Sequence, residues 1–169
     1  ADAAEITDWL ATLPVSEPLE FYPPRMLLVP HAGYAYSGAL AALAIQQIPR
    51  GRYSRVIMLA PGHRVAAQGV LLPAEQCIAF ATPLGEVPLD REVLDYLYQQ
   101  ADTQYSEGAH RHEHAIEVQL PLLQHQLGHF QLTPLIVGHY PAKKLARLLR
   151  PLLNPQTLLI VSSDLCHYL

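Results

Sequence analysis

The chain predicts an α/β fold, a mostly parallel central sheet with helices on both faces. Three observations carry this. Short apolar runs at 26–29, 55–60 and 157–161 read as buried strands, the first two stopped by Pro30 and Pro61-Gly62. Stretches with apolar residues at helical spacing alternate with them, the pattern of strands joined by crossover helices. The 169 residues are 50% hydrophobic and 15% charged, enough apolar material for one compact domain with a real core and too much for a disordered chain.

Each element follows in order. Residues 4–13 carry apolar side chains at helical spacing, and Pro14 ends them. Residues 14–24 hold four prolines and predict an irregular connector. Met26-Leu27-Leu28-Val29 predicts a strand, and the Ala- and Leu-rich stretch from Gly38 to Ile48 a helix. The next strand is 55–60. The segments 70–72 and 77–80 predict short strands of a lateral excursion. Asp90 predicts an N-cap for a helix running to Gln100. Residues 114–127 show an apolar stripe at 116, 120, 123 and 127. Pro121 inside it must either kink the helix or stand in its first turn. Residues 132–137 predict a strand with Pro134 at an edge or irregular position. A short helix at 142–149 and the strand 157–161 close the series.

Bulk properties exclude several functions. A net charge of -4 argues against a nucleic-acid binder, which carries a basic stripe. No apolar run is long enough to span a bilayer. Residues 1–6 lack the basic and then apolar pattern of a secretory leader. The two cysteines, Cys77 and Cys166, do not make a disulfide framework, and reduced thiols in the cytoplasm are the expectation.

The nine histidines cluster, and their positions carry the chemistry. His31 follows the strand 26–29, His63 follows 55–60, and Asp164, Cys166 and His167 follow 157–161. Open α/β sheets bind ligands beyond the carboxyl ends of their strands. Any one of these histidines alone reads as an ordinary loop residue. Three at three strand ends point to a metal site, because neutral imidazole is the commonest metal ligand. Asp164 can join such a site or orient a ligand within it. Pro30-His31-Ala32-Gly33 and Pro61-Gly62-His63 both surround their histidine with small residues, which leaves room for a ligand or for close backbone approach.

A second cluster runs from His110 through Arg111, His112 and Glu113 to His114, with Glu117 beyond. It reads either as a solvated helix start or as the source of a general acid or base, His114, with Glu113 as partner. The spacing is not that of a His-Glu-x-x-His zinc protease. Ser162 and Ser163 near His167 lack the nucleophile elbow of a hydrolase. Cys166 is either a nucleophile or a buried thiol. No phosphate-binding glycine loop is present.

Four motifs carry a family resemblance. They are Pro30-His-Ala-Gly-Tyr-Ala-Tyr-Ser-Gly38, Leu59-Ala-Pro-Gly-His63, Glu113-His-Ala-Ile-Glu-Val-Gln-Leu-Pro121 and Ser162-Ser-Asp-Leu-Cys-His167. In order and spacing the chain resembles the Memo family, also called AmmeMemoRadiSam system protein B. That family is similar in fold to the class III extradiol dioxygenases, which open catechol-type rings with non-haem iron. The resemblance implies a metal site of His31, His63 and His167, with His114 and Asp164 at further pocket positions as catalytic candidates. It also implies one α/β domain over 1–169 that lacks the N- and C-terminal parts of the usual family domain. The family's C-terminal region carries a cysteine usually placed in the metal site. Arg64 stands where many relatives have a second histidine, a change at the pocket rim.

The leading expectation is therefore a metal-dependent oxidoreductase using iron or copper ahead of zinc. A non-catalytic peptide-binding or signalling scaffold and a zinc-type hydrolase are the alternatives. The expected occupant of the strand-end pocket is a small molecule or a peptide.

Overall fold

The computed structural model describes residues 2–15, 17 and 23–164. Helix α1 (Ala3–Thr12) opens on a capping box. Asp2 accepts from the Glu5 N–H at 2.9 Å, and the Glu5 carboxylate accepts from the Asp2 N–H at 3.1 Å. Its inner face buries Ile6 and Leu10. Strand β1 (Met26–Val29) runs into the loop of His31. A π-helical turn (Tyr34–Gly38) then leads into α2 (Ala39–Gln46). The expected helix of 38–48 is thus shorter and enters through a wider turn, a local form frequent at functional sites.

Strand β2 (Arg55–Pro61) is followed by β3 (Val70–Leu72), then by the hairpin strands β4 (Ala79–Thr82) and β5 (Gly85–Pro88). Helix α3 (Arg91–Tyr98) is capped by Asp90, as predicted: the Asp90 side chain accepts from the Val93 N–H at 3.3 Å. Strand β6 (Thr103–Tyr105) and helix α4 (Glu107–Arg111) come next. A single 3-10 turn (Glu117–Gln119) precedes α5 (Leu120–Leu127). The chain then forms β7 (Gln131–Val137), α6 (Ala142–Leu149) and β8 (Thr157–Ser162).

The six-stranded sheet has the order β1-β8-β2-β7-β3-β6 and is flanked by helices. Its neighbours pair in parallel except β3 and β7, which are antiparallel. The fold is α/β and mostly parallel, as predicted. The central strands are buried almost throughout, including Val56–Ala60 of β2 and Leu158–Ile160 of β8. Strands covered on both faces are written as continuous apolar runs, which is why they were legible. Helix α2 packs on β1 and α5, and α3 packs on β6.

Three expectations change. Val70–Leu72 belongs to the main sheet and is buried at every position, so the lateral excursion is the β4–β5 hairpin alone. Pro134 lies in an interior strand. On the β3 side of β7, Leu132 is bridged to Leu89 and pairing with β3 starts only at Ile136. Pro134 stands between those two pairings, where no N–H is required. The stripe of 114–127 is not one helix: α5 starts at Leu120 with Pro121 in its first turn, where a proline removes no helical hydrogen bond. His114 precedes this helix.

The parallel register aligns the carboxyl ends of β1, β8 and β2. Val29 pairs with Ser162, and Leu59 pairs with Val161. The loops that leave these ends therefore emerge side by side. Among the described residues, no helix is long and apolar enough to cross a membrane.

Candidate metal centre

His31 leaves the end of β1 two residues after Val29, and its position is held from β8. Its backbone N–H donates to Asp164 Oδ1 at 2.6 Å. Its Nδ1 lies 3.0 Å from Ser162 Oγ, and the Ser162 hydroxyl donates to the Ala115 carbonyl at 2.6 Å. The hydroxyl proton is committed to that carbonyl, so Oγ accepts from His31 and the imidazole proton sits on Nδ1. Nε2 then carries a bare lone pair. It is buried and has no hydrogen-bond partner, while Asp164 Oδ2 stands 3.7 Å away. A buried unpartnered acceptor is costly in an apolar setting and is the form in which imidazole binds a cation.

His31 is 1% exposed. Burial foremost lowers its pKa below the usual 6.5, opposed by Asp164 and assisted by the adjacent His63 and His114, so the ring is held neutral.

His63 leaves the end of β2. The glycine before it allows close approach, since a Cβ at Gly62 would stand 3.1 Å from Ile136 Cγ2 and from the Val65 carbonyl. Its partner is Glu113, whose side chain is 1% exposed. Glu113 Oε2 accepts from the His63 N–H at 2.8 Å, and Oε1 accepts from His63 Nδ1 at 2.9 Å. Oε1 also accepts from the Ala115 N–H at 2.9 Å. Burial pushes the Glu113 pKa up, but these bonds from His63 and Ala115 outweigh it, and the carboxyl is held below 4.5. An ionised Glu113 takes the Nδ1 proton of His63, which leaves Nε2 of His63 as the free lone pair. This is the carboxylate–histidine arrangement that supports metal ligands.

His114 follows directly. Its Nδ1 lies 3.4 Å from the same Glu113 Oε1. Its ring centroid is 5.0 Å from that of His63 and 5.7 Å from that of His31, and the rings of His31 and His63 are 5.1 Å apart. One nitrogen from each of His31, His63 and His114 lies within 4.8 Å of the others, a group that can hold a metal ion. His31 forms the buried floor. The side chains of His63 and His114 are 32% and 47% exposed, so the group opens outward.

The strand-end histidines His31 and His63 therefore meet as the sequence predicted. His114, expected as an acid or base, stands in ligand position beside them. Asp164 touches His31 as expected. His167 and Cys166 lie outside the described residues. Glu113 was expected to partner a histidine of its own segment, and both of its oxygens bond to His63. Ser162, weighed above as a hydrolase residue, relays between His31 and Ala115. Gln119 was not anticipated. Its Nε2 donates to the Pro30 carbonyl at 2.7 Å and fixes the loop that carries His31. Its sequence signals were a place in the third motif and a polar residue inside an apolar stripe. Tyr34, in the first motif, stacks on Trp9 with centroids 4.5 Å apart. Burial, with help from Glu117, pushes its hydroxyl up to about 12. Arg64 is exposed, as a rim residue should be.

Comparison with known proteins gives the family. The Memo family, described as "Memo-like protein", matches residues 1–169. A MEMO1 family protein of Aquifex aeolicus is 33% identical over 172 residues, covering 99% of this chain and 63% of its own length. A MEMO1 family protein of Thermotoga neapolitana is 37% identical over 156 residues, covering 86% of this chain and 54% of its own. The protein memo-1 homolog of Caenorhabditis elegans is 32% identical over 155 residues, covering 85% and 43%. The chain spans about half the length of the curated relatives it matches. With a whole-chain match, and with the motif histidines His31, His63 and His114 gathered together, the chain belongs to the Memo family.

Proposed function

We propose that this chain binds iron or copper through His31 and His63, with His114 or His167 completing the set, and that the bound ion serves a metal-dependent oxidoreductase related to the extradiol dioxygenases. The observation that supports this best is the buried, unpartnered Nε2 of His31, whose Nδ1 is committed to Ser162 and which faces two further imidazoles. A set of neutral imidazoles suits iron, copper and zinc. A redox metal would supply electron transfer to a bound substrate or to oxygen. The chain's own residues do the rest. Ser162 and Glu113 hold His31 and His63 in the tautomer that presents Nε2. Asp164 anchors the His31 backbone. His114, the most exposed of the three, stands where a substrate would enter and can hold or move a proton at its ring nitrogen. The occupant of this pocket is a small molecule or a peptide, and the protein works in the cytoplasm.

A group of three imidazoles also matches catalytic zinc sites, and this observation favours a hydrolase as the second reading. Metal analysis of the purified protein decides between them. Iron or copper bound near one equivalent, lost in His31→Ala, is the expected result. Zinc at one equivalent with hydrolysis of esters or amides would replace the oxidoreductase reading, and absence of any bound metal would end both. Oxygen uptake with a catechol panel tests the activity. His114→Ala and His167→Ala separate ligand from acid or base: a ligand variant loses metal, whereas an acid–base variant keeps metal and loses turnover.

A further inference from the structure

A cavity of about 400 Å³ borders Glu113, a volume within the range of small-molecule sites. None of His31, His63 or His114 lines it. Its walls come from the segment after β3, from β4, from α4 and from the start of α5. The body of the cavity is apolar, with Phe80, Cys77 and Leu120 among its lining. Its polar groups are unbalanced. Glu117 presents a carboxylate, while Glu107 and the single guanidinium, Arg111, pair with each other at 3.6 Å. Glu113 also lines the cavity, but its oxygens are engaged by His63 and Ala115.

His110 stands in the wall of the cavity. Its Nε2 lies 3.0 Å from the Leu71 carbonyl, which can only accept, so the ring proton is on Nε2. Nδ1 is then a bare lone pair, buried and without a partner. The ring stands edge-on to Phe80, with centroids 6.1 Å apart. Burial holds His110 neutral, so it does not turn into a donor near pH 7.

The lining thus sets the charge of Glu117 beside an apolar body, and its one guanidinium is committed to Glu107. We infer that this cavity binds a small molecule with an aromatic or aliphatic body and a protonated amine, with Glu117 facing the cation and Phe80 and Leu120 facing the body. Anionic ligands such as carboxylates bind it more weakly because of the same charge. The site is separate from the metal reading, and a metal-free protein retains it.

The test is calorimetric titration of chelator-treated full chain with tryptamine, and with indole-3-propionate as an anion carrying the same ring. Tryptamine should bind the more tightly by roughly three- to tenfold, the range of a partly exposed ion pair. Glu117→Gln should remove most of that preference without weakening the anion, and Ala81→Trp should block the cavity to both. Glu107→Gln supplies a second charge variant if Glu117→Gln does not fold by circular dichroism. Equal affinity for amine and acid, an undiminished preference in the charge variants, or no binding of tryptamine would each overturn the inference.

Discussion

His31 Nδ1 and Ser162 Oγ stand 3.0 Å apart, although 131 residues separate them in the chain. The contact fixes which nitrogen of a buried histidine is free. Ser162→Ala removes it and leaves the Ala115 carbonyl without its hydroxyl donor. Metal affinity should fall about 10- to 100-fold, the usual effect of losing a group that orients a ligand. Stability should fall by about 1–3 kcal/mol. Competition titration against a chelator measures the first and urea unfolding the second. Unchanged affinity in a folded variant would remove Ser162 from the site.

Glu113→Gln tests the other support. A carboxamide keeps the shape but presents an NH2 group to donors that Glu113 now satisfies, the N–H groups of His63 and Ala115 and the His63 ring. The expected outcome is a loss of about 1–3 kcal/mol in urea unfolding and a weaker metal site. Retention of both properties would show that the charge of Glu113 is dispensable.

Acidification should destabilise the metal-free protein in two stages. His31 and His110 have pKa values below the ordinary 6.5 because burial disfavours their charged forms. The unfolded chain therefore binds protons that the folded chain does not, and stability falls as pH drops below about 6.5. Glu113 is held below 4.5, so its contribution is present above that value and is lost as pH falls through its lowered pKa. Urea midpoints from pH 8 to pH 4 check this, and His110→Phe should flatten the first stage. A midpoint that rises on acidification would contradict the assignment.

Helix α1 sits on the motif of His31 through Trp9. A Cβ at Gly38 would meet Trp9 Cζ2 at 2.7 Å, and Tyr34 stacks on the same indole. Gly38→Ala should cost about 1–3 kcal/mol by overpacking. Trp9 is the single tryptophan, so its fluorescence reports whether α1 has shifted. An unshifted spectrum with full stability would show that the indole moves aside freely.

Leu123 is fully buried in α5. Leu123→Ala should cost about 2–5 kcal/mol in thermal or urea unfolding, through lost burial and the cavity left behind. A smaller loss would mean that the packing around α5 relaxes into the space.

By itself the sequence determined the buried strands, the fold class and the address of the site. Those signals are local. An apolar run such as Val56–Ala60 records burial on both faces of its own strand, and His31 and His63 stand two residues beyond the ends of their strands. Short strands such as β5 and β6 were not legible, because they are exposed or half-buried at most positions and carry no apolar run. Tertiary structure alone decided the partners. Placing β8 between β1 and β2 brings Ser162 and Asp164 to His31, and the segment after α4 brings Glu113 to His63 across 50 residues of sequence. Hydrogen-bond partners are set by strand order and register, which no single segment records, so the histidines were visible in the sequence while the groups that aim them were not.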